Sequence, residues 1–215
     1  MFKIDMHVHT HYSYRDGINS PEEMIRAAEA KGLSGIAITD HNNMEGAIEA
    51  ESIETDIVII KGCEISSLDG HILAYGIEDR IERGLSAADT IDMIKEQGGI
   101  AVAAHPFDRR RCAVGDRIFQ LPFDAIEALN GHYLNDKGRT MKVCEERSLN
   151  VTAGSDAHMA KEVGSCYTLF EDLNDLKKEI KEGRTGIGGH ATSVFTLGEK
   201  WIRTNVLRQG RFDQP

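Results

Sequence analysis

Several features that would place a chain outside the ordinary globular classes are scarce here. There are four cysteines (Cys63, Cys112, Cys144 and Cys166), with no CxxC pairing and no dense framework, which excludes a disulfide scaffold. Buried free thiols in a reducing compartment are the expectation. No apolar run approaches the roughly 20 residues of a membrane-spanning helix. The opening Phe2-Lys3-Ile4-Asp5-Met6-His7-Val8-His9 alternates from the start, with no basic n-region and no apolar h-region. A soluble, cytoplasmic protein is therefore expected, with no membrane partner. Positive charge is also short: 25 Lys and Arg face 35 Asp and Glu, for a net charge of −10. Such a molecule repels long polyanions unless a basic patch overrides the mean field, so a long nucleic acid is not the expected partner. There is no Pro- or Ser-rich linker and no repeat. No Gly-rich phosphate loop follows any strand candidate, which weakens a nucleotide-binding open sheet.

What is present is an ordinary apolar content of 40% and charged content of 28% in 215 residues. That length fits one domain able to bury roughly 70% of its unfolded surface. Strand-like and helix-like pieces alternate. The strand candidates are 3–9, 35–39, 57–62, 99–105, 125–129, 150–153 and 166–170. Helical patterns fill 20–31, 44–52, 86–97, 134–147 and 172–182, and 70–76 reads as the return strand of a hairpin. Ser20-Pro21-Glu22-Glu23 supplies an N-cap, a first-turn proline and acid at the positive end of the dipole. Such alternation implies a mostly parallel sheet covered on both sides. Periodicity does not choose between an open sheet and a small barrel. The tail from about Thr192, with Val194, Leu197 and Trp201, is expected to pack on the body or on a partner.

Histidine is the unusual residue, nine in all, most of them beside Asp, Thr or Gly at apparent strand ends. In His7-Val8-His9 the two imidazoles point the same way from a strand, opposite Ile4, Met6 and Val8. Asp16-Gly17 follows in a loop rich in Tyr and Ser. Thr39-Asp40-His41 closes the second strand, with Asp40 either supporting His41 or capping the helix near Met44. Gly62-Cys63-Glu64 closes the third, and a hairpin would return His71 beside Glu64. His105-Pro106 ends a very apolar strand, where a buried imidazole would need both nitrogens satisfied. Gly154-Ser155-Asp156-Ala157-His158 again places two such groups two residues apart. Each has an ordinary structural reading, but that coincidence would have to recur at five strand ends. Functional groups after many different strands favour a barrel, whose strands all end at one mouth.

In this order, and across residues 4–158, these motifs resemble those of the PHP (polymerase and histidinol phosphatase) superfamily. The resemblance implies an α/β fold, a distorted (β/α)7 TIM-like barrel in a single domain over residues 1–190, with 191–215 as a C-terminal extension. It implies a metal-dependent phosphoesterase holding two or three divalent ions (Mn, Zn or Fe). Carried over position by position, His7, His9, Glu64 and Asp156 would surround one ion. Glu64 would bridge to a second held with His71 and His105, and Asp16, His41 and His158 would take a third. His11 and Ser13 compete with Asp16 for its place. No catalytic residue beyond the ligands is expected, since metal ions neutralise the phosphate and acidify the attacking water. Arg109, Arg110 and Arg111, just past His105, suit phosphate oxygens. Asn130, closing its strand, is a candidate substrate contact at the mouth, and His190 reads as loop. The expected substrate is a small phosphomonoester or a short nucleotide phosphoester. A 5′–3′ exonuclease on oligonucleotides and a non-catalytic metal- or partner-binding module are the rivals. Oligomeric state stays open.

Overall fold

The computed structural model describes residues 1–14, 16–108, 111–132 and 137–190, so the expected extension 191–215 and the arginines Arg109 and Arg110 lie outside the described residues. The strands are β1 (Phe2–Val8), β2 (Gly35–Ile38), β3 (Val58–Ser66), β4 (His71–Tyr75), β5 (Ile100–Ala103), β6 (Ala125–Asn130), β7 (Val151–Gly154), β8 (Cys166–Phe170) and β9 (Gly186–Gly189). The helices are α1 (Pro21–Ala30), α2 (Glu45–Glu51), α3 (Ala87–Glu96), α4 (Lys137–Arg147) and α5 (Leu176–Lys181). A 3-10 turn, Gly115–Phe119, stands between β5 and β6.

All nine strands form one sheet in the order β7-β6-β5-β4-β3-β2-β1-β8-β9. Pairing is parallel through β1, β2 and β3 and again through β5, β6 and β7. It is antiparallel where β4 inserts between β3 and β5, and where β8 and β9 follow β1. The sheet curls until its ends nearly meet. Thr168 on β8 donates to the Ala153 carbonyl at 2.9 Å and accepts from the Ala153 N–H at 2.8 Å, tying β7 across the gap. Gly154 permits this approach, because a Cβ there would lie 2.3 Å from the Cβ of His7.

The barrel interior is filled by Ile4, Met6, Leu73, Tyr75, Val102 and Phe170, with Ile180 of α5 joining them. The Tyr75 hydroxyl donates to the Met6 carbonyl at 2.7 Å across this core. Outside, α1 and α2 cover β1 and β2, and α3 covers the β3–β5 region. Helix α1 starts where the sequence indicates: Ser20 accepts from Glu23 N and Glu23 accepts from Ser20 N, with Pro21 in the first turn.

Three local expectations need correction. Val8 does not share a face with Ile4 and Met6; it packs with the outer helices. Between Asp5 and Val8 the register slips by one residue against β2, and this bulge reverses the alternation just before the mouth. The third strand extends to Ser66, so Glu64 lies inside β3, because pairing with β4 continues to Ser66–His71. Strand β9, Gly-Ile-Gly-Gly, was not anticipated: nothing in so glycine-rich a segment signals a strand, and β8 supplies its pairing.

Candidate metal centre

The sequence motifs converge at one end of the barrel around Glu64, which is 1% exposed. Its Oε2 lies 3.5 Å from His7 Nε2, 3.4 Å from His9 Nε2 and 2.8 Å from His41 Nδ1. Its Oε1 lies 3.0 Å from both His71 Nδ1 and His105 Nε2. The two oxygens therefore face two separate sets of imidazoles. The β3–β4 hairpin returns His71 to Glu64 as its spacing suggests. Asp156 Oδ1 stands 3.4 Å from His9 Nε2 and 3.8 Å from His7 Nε2. Asp16 Oδ2 is 3.1 Å from His158 Nε2 and 3.7 Å from His41 Nε2. Asp16, not His11, thus joins the cluster. His11 instead lies against Tyr12, with ring centroids 4.6 Å apart and the planes tilted by 45°.

Three triads have donor atoms within 4.8 Å of one another: His7, His9 and Asp156; Glu64, His71 and His105; and His9, His41 and His158. The residues that position these groups are mostly remote in sequence. Ser13 Oγ faces His9 Nδ1 at 3.1 Å and donates to Asp40 Oδ1 at 2.8 Å. Asp40 also accepts from the Thr10 backbone and hydroxyl at 2.6 and 2.7 Å. It fastens the loop behind His9 and does not cap α2, whose first turn is instead served by Asn43 through Glu45 N at 2.9 Å.

The tautomers test whether a cation fits. Since Ser13 gives its proton to Asp40, His9 Nδ1 is the donor in its own contact and His9 Nε2 is a bare lone pair. That lone pair faces His7 Nε2 at 3.0 Å, while His7 Nδ1 meets Glu127 Oε1 at 2.8 Å. Two imidazole nitrogens so placed, beside two carboxylates, require positive charge between them, either a proton or a metal replacing it. Burial disfavours a charged His7, yet Glu127 and Glu64 outweigh it and push its pKa up to about 10. Burial is likewise outweighed at His41, by Glu64 and Asp16, which carry it up to about 10. Burial acts against ionised Glu64, but His71, His41 and His7 hold it well below the usual carboxylate range. His158 and His41 do the same for Asp16, against its burial. Asp16 Oδ1 is also buried without a hydrogen-bond partner. A donor set of imidazole and carboxylate with no thiolate suits Mn, Fe or Zn.

Several residues escaped the sequence reading. Glu127, buried in β6, receives His7 Nδ1, the His105 N–H at 2.7 Å and the Asn130 amide at 3.0 Å. Its only local signal is a charge inside an apolar strand. Asp5 accepts from Ser155 N at 2.8 Å and Gly164 N at 2.7 Å, and burial pushes its pKa up to about 6. His132 and Glu162 form a further group with His158. Asn130 is not an open mouth residue. It is buried, its amide donates to Glu127 and to Asp156 Oδ2 at 3.1 Å, and its oxygen accepts from His132 N. Arg111 does reach the centre, where its Nη1 contacts Asp156 Oδ2. Cys63, Cys144 and Cys166 are buried, whereas Cys112 is exposed, contrary to expectation. Among the described residues no helix is long and apolar enough to cross a membrane.

Residues 5–97 match the PHP domain and residues 135–185 match a PHP-associated family. An uncharacterized protein of Methanocaldococcus jannaschii is 37% identical over 142 residues, covering 61% of this chain and 83% of its own. A two-domain protein of Bacteroides vulgatus containing a predicted PHP-like metal-dependent phosphoesterase superposes with a TM-score of 0.68 at 21% identity, over 88% of this chain and 65% of its own. Endonuclease Q, solved with a 27-mer duplex bearing an abasic lesion, superposes with a TM-score of 0.66 at 17% identity, over 86% of this chain and 57% of its own. At these identities the two structures share the fold.

Proposed function

The chain belongs to the PHP domain family, and from that premise we propose that it is a metal-dependent phosphoesterase acting on small phosphoesters. The observation that carries the proposal is the division of Glu64, whose two oxygens address two different imidazole sets. On this reading His7, His9, Glu64 and Asp156 hold one ion, Glu64, His71 and His105 a second, and Asp16, His41 and His158 a third. Bound divalent ions would supply Lewis acidity, neutralise phosphate charge and acidify water. The chain's own residues then orient and recognise. Glu127 and Ser13 fix the rings of His7 and His9, and Arg111 offers its guanidinium to phosphate oxygens beside Asp156. We read the sheet as a distorted seven-unit barrel in which β4 and β9 are additions, β5 is followed by a 3-10 turn and β7 runs to β8 without a helix, in one domain over residues 1–190.

A small substrate is favoured by the space at the mouth. A cavity of about 750 Å³ adjoins His41 and His71 and is bordered by Tyr14, Asn42, Arg80 and Arg83. That is the size of ordinary small-molecule sites. The second reading is a nuclease on oligonucleotides, favoured by the shared fold with endonuclease Q. A hydrolysis screen with Mn, Zn and Fe across phosphomonoesters, diesters and short oligonucleotides separates them. We expect turnover on small esters with at least one metal. Turnover on oligonucleotides alone would establish the second reading, and none on any substrate would refute both.

A further inference from the structure

We propose, resting on the phosphoesterase reading, that His132 is a positioning residue for Arg111 and that Glu162 fixes His132 in the required tautomer. A guanidinium carries donors and no acceptor. Arg111 Nη2 lies 3.0 Å from His132 Nδ1, so that nitrogen accepts and the ring proton sits on Nε2. Nε2 faces Glu162 Oε1 at 3.3 Å. The other oxygen of Glu162 accepts from His158 N at 2.8 Å and Met159 N at 3.1 Å, which anchors the carboxylate to the loop carrying His158. The His132 backbone N–H donates to Asn130 Oδ1 at 2.8 Å, and the Asn130 amide reaches Asp156.

Arg111 is thereby gripped at both ends of its fork, by Asp156 through Nη1 and by His132 through Nη2. Its side chain is 25% exposed, whereas those of His132 and Glu162 are at 4% and 0%. A rigid buried pair thus holds one half-buried cation beside a candidate ligand carboxylate. Arg111 also lines a cavity of about 350 Å³ with Phe107, Asp108 and Arg139, so an anion entering there meets the guanidinium next to Asp156. His132, His158 and Glu162 are close enough to suggest a metal site of their own. His132 Nε2 and Glu162 Oε1 instead face each other at 3.3 Å and share the ring proton, while His158 Nε2 faces Asp16 Oδ2 at 3.1 Å in the third candidate triad. The arrangement serves an arginine.

The test uses the full chain reconstituted with metal, with inorganic phosphate as the probe in calorimetry and elemental analysis alongside. Arg111→Gln and His132→Ala should each raise the phosphate Kd by about tenfold or more, the scale of one hydrogen bond to a charged group. The double variant should be no worse than either single one. Metal content should stay at the wild-type value, and with an ester substrate KM should rise more than kcat falls. His132→Asn, which keeps an acceptor near the Nδ1 position, should recover most of the affinity, and His132→Gln should not. That pair decides the matter even if His132→Ala fails to fold. Wild-type phosphate binding in His132→Ala, additive losses in the double variant, or loss of metal would overturn the proposal. Should phosphate binding follow the expected pattern while no ester is hydrolysed, the hydrolase reading falls and the positioning role stands. Ester hydrolysis with phosphate binding indifferent to His132 is the reverse outcome.

Discussion

Glu127 shows how a single side chain can support a centre it does not enter. Its carboxylate collects three donors: the ring of His7, the backbone of His105 and the amide of Asn130. Burial opposes its charge, but His7 and His105 keep it ionised. Glu127→Gln keeps the volume and replaces one acceptor by an amide donor, which must then face another donor. Metal affinity should fall by about 10- to 100-fold, the usual effect of losing a group that orients a ligand. Titration against a chelator measures it, and an unchanged affinity would remove Glu127 from the supporting set. The candidate ligands were legible in the sequence because most sit in short motifs near strand ends, with Asp16 in the loop after β1 and Glu64 inside β3. Their supports were not. His132 lies in a loop after β6, and its partners Arg111 and Glu162 come from two other loops, so no spacing along the chain announces them.

At the level of elements, the mouth depends on irregularities that alternation cannot express. In β1 the slip between Asp5 and Val8 turns His7 and His9 toward the centre while Val8 joins the outer helices. In β6 the slip between Glu127 and Leu129 brings Asn130 within 3.0 Å of Glu127, where strict alternation would set them on opposite faces. His105 and Asp156 adopt φ values of 29° and 55°, a strained conformation for residues with side chains and one that recurs at functional sites. The strands other than β9 are legible in the sequence because their apolar runs persist; the bulges are not, because one extra residue leaves composition unchanged. Gly154 leaves no room for a side chain, since β7 crosses His7 there. Gly154→Ala should destabilise the fold by ~1–3 kcal/mol, as overpacking does, and weaken metal binding by displacing His7. Gly138→Ala in α4, where nothing lies within 4 Å of the added methyl, is the control and should not destabilise. Urea denaturation compares the two, and equal effects would mean that the β7–β1 approach is not tight.

The whole molecule sets the approach of the substrate. A net charge of −10 gives a repulsive mean field toward polyanions, and the positive groups described near the centre are few and local. Arg111 stands beside Asp156, and Arg80 and Arg83 border the larger cavity, but glutamates Glu45 and Glu82 line that same cavity. Mixed charge of this kind can hold one or two phosphates; tracking a long backbone takes a continuous basic groove. The two readings of the substrate therefore differ in their salt response. Each phosphate neutralised on a single strand contributes a log–log slope of roughly −0.7 in affinity. For the best substrate, KM measured between about 50 and 200 mM salt should change with a shallow slope, equivalent to one or two phosphates. Short and long oligonucleotides should then differ little from each other, both binding weakly. A slope equivalent to about five or more phosphates, steeper for the longer strand, would mean that the mean field is overridden by a groove built for nucleic acid. In that case the small-ester reading gives way to an oligonucleotide-directed nuclease, with Arg111 as one contact among many.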